Sequence, residues 1–273
     1  IVSVCYRFLL AGLILLGFSK LRNHNLAYST KEHVFILLQG LTLFGFNYWL
    51  VYQAEEILTS GLVALIFSTI ILMNIFNSRI FLKSRVKWKV YVGAALGLAG
   101  VCMIFYEDLL LFSFSDASSY ALVKAIGAAY IASLGNIISA RNQMAGLPVL
   151  QTNALGMTYG AMAMAIIAWT LGYNFSYSFE LSYTVSLLYL ALFGSVIAFG
   201  AFLSLIGKIG ASKAAYIQLV IPIIALLIST VFEHYKWTLL GFIGVLFIIS
   251  GNFIVLEFRK RKYKHKVPGG SGV

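Results

Sequence analysis

The chain has 273 residues, of which 60% are hydrophobic and only 11% are charged, and its mean hydropathy is +0.90. Soluble domains carry about 25% charged residues, so this composition excludes an ordinary water-soluble enzyme. The formal net charge of +11 would suit nucleic acid. However, the basic residues stand in short segments between apolar stretches, a pattern typical of segments that meet anionic lipid. We therefore expect the lipid bilayer, and no nucleic acid, as a partner.

Nine apolar stretches of about 20 residues divide the chain, and each matches the ~30 Å hydrocarbon core of a bilayer. In chain order, the predicted spans are 1–19, 33–54, 57–78, 88–106, 119–140, 149–172, 183–206, 211–232 and 238–256. The loops between them are short, so consecutive helices are expected to be antiparallel neighbours. The predicted fold class is an all-α, polytopic helical membrane bundle.

The charged residues between the spans separate by sign onto alternate sides. One set of loops and the C-terminal tail hold 17 of the 20 basic residues, and the opposite loops hold 7 of the 9 acids. The acids are Glu55, Glu56, Glu107, Asp108, Asp116, Glu180 and Glu233. The positive-inside rule then predicts a multi-pass inner or plasma membrane protein whose C-terminus is cytoplasmic and whose first residue lies outside.

Residues that usually carry catalysis or bind metals are sparse. The two cysteines, Cys5 and Cys102, stand inside apolar spans, the four histidines fall in loops, in the tail or, for His33, at the first position of a span, and no span carries a central Asp or Glu. We predict no enzyme activity, no metal site and no cofactor. Without a buried carboxylate to carry a proton, facilitated diffusion or exchange is favoured over proton coupling.

An internal repeat relates two parts of the chain. Residues 59–101 and 210–252 align without a gap at an offset of 151, which pairs Gly93 with Gly244 and Gly100 with Gly251. An odd number of spans separates the copies, so the second copy crosses the membrane in the opposite sense. Inverted repeats of this kind are typical of secondary transporters. The alternative is a chance alignment of two apolar helix pairs that have glycines at similar spacings.

Several stretches resemble the EamA-type branch of the drug/metabolite transporter superfamily. They are YRFLLAGLILL (6–16), SGLVALIFSTIILMNIFNSRIFL (60–82), VGAALGLAGV (92–101), YLALFGSVIAFGAFL (189–203), GASKAAYIQLVIPIIALLISTVFE (210–233) and GFIGVLFIISG (241–251). Each is weak alone, and their order and spacing make the resemblance specific over nearly the whole chain.

The resemblance implies ten helices in two inverted five-helix repeats, of which this chain supplies nine. The helix without a counterpart is the family's first, so we expect the sequence to be truncated at its start. Residues 1–118 would form the first repeat (helices 2–5 of the family) and 119–258 the second (helices 6–10). Residues 259–273 would be a basic cytoplasmic tail that ends in PGGSGV, which resembles a cloning linker.

The fourth helix of the family usually contains a proline, and this chain departs from that pattern. Ile71 stands at that position, while Pro222 retains the counterpart in the second repeat. The substitution predicts a softer bend in the first copy. Pro222 is the predicted hinge, because proline frees a backbone carbonyl one turn earlier in its helix.

Polar residues in the middle of spans are the candidate substrate site, because such side chains are costly in lipid unless they face the bundle interior. The predicted substrate-binding residues are Asn47, Tyr48, Trp49, Tyr52, Asn74, Asn136, Tyr216 and Gln218. The alternative is that these amides bridge helices and that the aromatic residues anchor span ends. Arg7 is basic and lies well inside an apolar run. It is either a structural clamp on a carbonyl or an anion contact.

These residues and the resemblance predict a transporter of small organic metabolites, such as amino-acid-like solutes for export, that works by alternating access. The alternative is a membrane-embedded enzyme or scaffold that shares only the helical architecture. The sequence leaves open whether the protein is a monomer or a homodimer.

Overall fold

The computed structural model describes residues 1–232 and 237–255, and within them the regular secondary structure is entirely helical. We number nine helices in this part of the chain. They are α1 (Val2–Leu21), α2 (Thr30–Glu55), α3 (Ser60–Phe81), α4 (Trp88–Ile104), α5 (Asp116–Met144), α6 (Val149–Thr170), α7 (Leu181–Ile209), α8 (211–232) and α9 (Leu239–Val255). A short helix, Tyr106–Leu111, joins α4 to α5. The predicted basic tail and Glu233 lie outside the described residues.

The helices have the length and composition of membrane spans. Helices α1, α2, α3, α5 and α7, together with Ala211–Ile228 of α8, are each long and apolar enough to cross a bilayer. Helices α4 and α9 are apolar but have 17 residues each, and α6 has 22 residues with a polar first half. The prediction of a polytopic helical bundle is confirmed.

Polar caps fix the starts of several helices, and two of these, α2 and α5, begin a few residues before the predicted spans. Ser29 forms a capping box with Glu32 at the start of α2. The Thr59 hydroxyl accepts a hydrogen bond from the backbone N–H of Leu62 at the start of α3, and Ser115 caps α5 in the same way. These side chains satisfy backbone N–H groups that have no partner inside the helix. Helices α2 and α5 therefore begin in polar sequence outside the apolar runs that predicted them, whereas α3 begins at Ser60, inside the predicted span 57–78.

Three of the long helices depart from regular α geometry in their middle. A π-helical segment interrupts α2 at Thr42–Phe46, and another interrupts α7 at Leu192–Ile197. Helix α8 is 3₁₀-helical at Ala215–Leu219, just before Pro222. Helix α3 is interrupted at Thr69, so the break occurs without the proline that the resemblance led us to expect. The Thr69 hydroxyl donates to the Ile66 carbonyl oxygen at 2.5 Å and helps to hold this turn.

Three helix pairs make the most extensive contacts, α1 with α6, α2 with α5 and α4 with α9. In the α4–α9 pair, glycines allow the backbones to touch. A Cβ atom at Gly251 would lie 2.6 Å from the carbonyl oxygen of Gly93, and one at Gly244 would lie 2.5 Å from that of Gly100. These glycines therefore serve close helix packing, in agreement with the small residues found at helix interfaces in membranes.

Candidate functional site

Buried amide side chains on α2, α3 and α5 form the polar interior of the bundle. Asn47, Asn74, Asn77 and Asn136 are each no more than 6% exposed, and the Oδ1 atom of each has no hydrogen-bond partner. The Nδ2 atom of Asn77 donates to Ser133 Oγ at 2.9 Å. Asn136 lies three residues beyond Ser133 on α5, so the two share one helix face. Unpaired buried carbonyl groups are costly, which makes this interior a place where water or a polar solute would be stabilised.

Asn74 connects this interior to the start of α8. Its Nδ2 atom donates to the Ala211 carbonyl oxygen at 3.3 Å, and the Ser212 hydroxyl donates to the backbone oxygen of Asn74 at 3.4 Å. Two hydrogen bonds therefore hold α3 and α8 together next to the interior amides. Ser78 lies four residues after Asn74 on the same face of α3. It is 2% exposed, and its hydroxyl has no partner.

Arg7 is held by the π-helical segment of α7. Its Nε atom donates to Ser195 Oγ at 2.8 Å, and its Nη2 atom donates to the Gly194 carbonyl oxygen at 3.1 Å. The guanidinium carbon lies 5.3 Å from the centre of the Tyr48 ring. Among the described residues no carboxylate pairs with Arg7. Of the two alternatives raised by the sequence, the contacts are those of a clamp on a carbonyl, with a cation–π contact to Tyr48.

The structure does not bring all the predicted site residues together. Tyr216 is fully buried, but its hydroxyl donates to the carbonyl oxygen of Val90 on α4, so this side chain bridges α8 and α4. Tyr52 is 45% exposed, and Trp49 packs near Phe46 with ring centres 6.5 Å apart.

Other predicted residues lie closer to the clamp or to the hinge. Tyr48 packs against Phe8, with ring centres 4.9 Å apart, beside Arg7. Gln218 is half-buried in the 3₁₀ segment, and Pro222 is buried one turn later in α8. The predicted residues therefore divide into the amides of the interior, Tyr48 at the Arg7 clamp, and side chains placed elsewhere.

A cavity of about 720 Å³ opens at the end of the bundle where the basic loops lie. We call it the basic vestibule. Its inner wall includes Ser78, Gln143 and Ser212, and its outer wall carries four basic residues, Arg85, Lys87, Lys208 and Lys213. None of the described residues that line it is an Asp or a Glu. Because Ser78 and Asn74 share one face of α3, the inner wall adjoins the amide interior.

A second cavity of about 630 Å³ lies between α3, α4 and α5 and is almost purely apolar. Leu62, Met73 and Leu98 are among its lining residues. It offers no group that would hold a polar solute. Of these two cavities, only the basic vestibule meets the amide interior.

Several residues of this region were not predicted as site residues from the sequence. Ser78, Gln143, Ser195 and Ser212 are short or common polar side chains with no distinctive spacing. A signal existed only on α3, where Asn74, Asn77 and Ser78 form a polar run in an apolar helix. Within the described residues, no group of three or more His, Cys, Asp or Glu side chains is placed to hold a metal ion.

A bundle of membrane-spanning helices that surrounds unpaired amides and opens at one end through a cavity lined by apolar, hydroxyl and basic residues is consistent with a membrane transporter. Sequence comparison agrees, because the EamA-like transporter family matches residues 1–106 and 119–257. The chain belongs to this family, and the resemblance to EamA-type transporters is confirmed.

Similar proteins cover most of the chain. The uncharacterized inner membrane transporter YedA of Escherichia coli (strain K12) is 30% identical over 259 residues, which cover 91% of this chain and 81% of YedA. The uncharacterized transporter YvbV of Bacillus subtilis (strain 168) is 26% identical over 263 residues, which cover 91% of this chain and 80% of YvbV. One crystal structure is similar in fold to this chain, with a TM-score of 0.79 and 16% sequence identity. The superposition covers 94% of this chain and 86% of the chain in that structure.

Proposed function

We propose that this membrane transporter moves small, polar organic solutes of the amino-acid class through the amide interior by alternating access. The observation that carries the proposal is the set of four buried asparagine oxygens that have no partner. In a bilayer such groups are retained where they face a path for polar solutes. Asn74 and Asn77 on α3 and Asn136 on α5 belong to helices that line the basic vestibule, so a solute entering there would meet these amides next.

Two inverted halves, residues 1–118 and 119–258, are the proposed moving parts. The glycine contacts support this arrangement, because Gly93 touches Gly251 and Gly100 touches Gly244. Under the offset of 151 these two contacts are copies of each other, as expected for two halves related by a two-fold axis. The π-helical segments support it too. Each contains the triplet Leu-Phe-Gly, at 43–45 in α2 and at 192–194 in α7.

We place the hinges of the movement at the breaks in α3 and α8. Thr69 interrupts α3, and the counterpart of Thr69 at the offset of 151 is Val220, where the 3₁₀ segment of α8 changes to α-helix. Pro222 lies two residues further on. Breaks at equivalent positions allow the two copies to bend alternately. The basic vestibule would face the cytoplasm, in agreement with the charges of the loops. The names of the relatives support the inner membrane as the location.

The experiment is transport into liposomes that contain the purified full chain. Radiolabelled amino acids are offered one at a time, and we expect at least one to enter faster than into empty liposomes. Asn136→Leu should reduce that flux at least tenfold, at an unchanged melting temperature, because Asn136 makes no hydrogen bond in the described part of the chain. Asn252→Leu is the matched control, since Asn252 lies on α9 and bonds only to the Ile248 carbonyl of its own helix.

The result that would refute the proposal is the absence of flux for every amino acid offered. That result would favour the alternative of a membrane scaffold or a membrane-embedded enzyme. An equal loss of flux in Asn136→Leu and Asn252→Leu would show that the interior amides do not line the path of the solute.

A further inference from the structure

We infer that the basic vestibule binds an anionic group, a carboxylate or a phosphate. This inference deepens the proposed function. It rests on that function in one respect, namely that the anion belongs to the transported solute. It would narrow the substrate class to solutes with an uncompensated negative group, such as acidic amino acids.

The first support is the convergence of charge. Arg85 and Lys87 precede α4, whereas Lys208 and Lys213 lie on either side of the turn between α7 and α8. Residues from two distant segments thus line one cavity. The positive-inside rule requires basic loops on this side of the membrane, but it does not require that residues of two loops line the same cavity. Basic residues that converge on one cavity favour an anion there.

The second support is the polar inner wall. The Ser78 hydroxyl is buried without a partner, and a hydroxyl is a good donor to a carboxylate or phosphate oxygen. Helix α4 also starts at the vestibule, and its N-cap residue Lys87 makes no side-chain capping bond. The helix dipole places partial positive charge at the end of α4 that meets the cavity.

The third support is the asymmetry of the lining. Neutral or basic side chains make up the wall given by the described residues. A site for a cation, or for a zwitterion held by both of its charges, would need an acidic group at hydrogen-bond distance. The volume of about 720 Å³ is within the usual range of small-molecule sites.

The test measures equilibrium binding, so it does not depend on transport. The full chain is placed in nanodiscs of phosphatidylcholine, and its melting temperature is followed with sodium phosphate or sodium glutamate against sodium chloride at equal ionic strength. We expect saturable stabilisation. The double variant Lys87→Gln/Lys213→Gln should weaken the apparent affinity about tenfold.

The matched control is Lys20→Gln/Lys31→Gln, which removes the same charge from another loop on the same side. Neither Lys20 nor Lys31 lines the vestibule, so the affinity should not change. Ser78→Ala is a second probe. Because its hydroxyl has no partner, the unliganded melting temperature should be unchanged while the affinity falls severalfold.

A second arm identifies the source of the anion. Nanodiscs of equal parts phosphatidylcholine and phosphatidylglycerol offer a lipid headgroup in place of a soluble ion. Stabilisation by this lipid alone, lost in Lys87→Gln/Lys213→Gln, would support the site with a lipid as its ligand. No saturable effect in either arm, or an equal loss in both double variants, would overturn the inference. Amino-acid flux without anion binding would overturn the inference and leave the proposed function standing.

Discussion

At the scale of single residues, Arg7 shows how a charge is accommodated within a membrane-spanning helix. Its two hydrogen bonds go to a serine hydroxyl and to a backbone carbonyl in the π-helical segment of α7. A π segment shifts the backbone hydrogen bonding by one residue, and such segments often occur at functional sites. The fork of donors on the guanidinium spans the two acceptors, Ser195 Oγ and the Gly194 oxygen, from one side chain.

We therefore predict that Arg7→Lys destabilises the protein. A lysine has a single ammonium in place of the planar fork and loses the stacking on Tyr48. The expected loss is about 1–3 kcal/mol of unfolding free energy, seen as a lower melting temperature in detergent. Arg22→Lys is the control, because Arg22 is exposed and, within the described residues, its guanidinium contacts the Phe18 ring alone. If Arg7→Lys and Arg22→Lys have the same melting temperature, Arg7 is not a clamp.

The sequence alone predicts the positions of some of these buried residues and not of others. Asn74 and Asn136 could be predicted as interior residues, because an amide in an apolar helix is costly when it faces lipid. The direction in which the Tyr216 side chain points could not be predicted. Its hydroxyl is close enough to the Val90 carbonyl only because Gly93 lets α4 approach. That contact depends on the packing of three helices, and nothing within α8 itself encodes it.

At the scale of helices, the α4–α9 pair depends on the absence of side chains. We predict that Gly100→Ala destabilises the protein by about 1–3 kcal/mol, since its Cβ would press on the backbone carbonyl of Gly244. Backbone atoms cannot move aside without separating the helices. Gly200→Ala on α7 is the control, because no atom lies within 4 Å of that Cβ. It should stabilise the helix by up to about 1 kcal/mol. In thermal unfolding, we expect Gly100→Ala to lower the melting temperature and Gly200→Ala to raise it.

Helix starts provide a second prediction at this scale. Ser29 and Glu32 exchange hydrogen bonds at the beginning of α2, with the Ser29 N–H donating to Glu32 Oε2 at 2.7 Å. Ser29→Ala should cost about 1 kcal/mol of unfolding free energy, as measured by denaturant or thermal unfolding. Ser113→Ala, in an exposed loop position, should have no effect. An equal effect of both substitutions would show that the capping box contributes nothing to stability.

The helices themselves were predictable from the sequence, and their irregular segments were not. Continuous apolar runs identified the nine spans, because lipid does not require an amphipathic face. The runs place boundaries poorly, since caps such as Ser29 extend helices into polar sequence. The π segments at Thr42–Phe46 and Leu192–Ile197 leave no local signature beyond a shared Leu-Phe-Gly triplet. The contact that Arg7 makes with the second segment comes from another helix, so the segment's own sequence does not reveal it.

At the scale of the whole molecule, the charges of the loops predict how the bundle sits in the membrane and which way the basic vestibule opens. Three helices separate Lys31 from Glu107, two separate Glu107 from Glu180, and one separates Glu180 from Lys208. If each helix crosses the bilayer once, Lys31 and Lys208 share one side, while Glu107 and Glu180 share the other. The positive-inside rule assigns the lysine side to the cytoplasm.

Cysteine labelling in intact cells tests this arrangement. Cys5 and Cys102 are first replaced by alanine, and single cysteines are then introduced at Lys31, Glu107, Glu180 and Lys208. A membrane-impermeant maleimide should label Glu107→Cys and Glu180→Cys from outside, and the other two only after permeabilisation. All four residues are exposed, so poor access is no explanation for a missing label. Labelling of Lys31→Cys and Glu107→Cys from the same side would contradict the orientation, and with it a cytoplasmic opening of the vestibule.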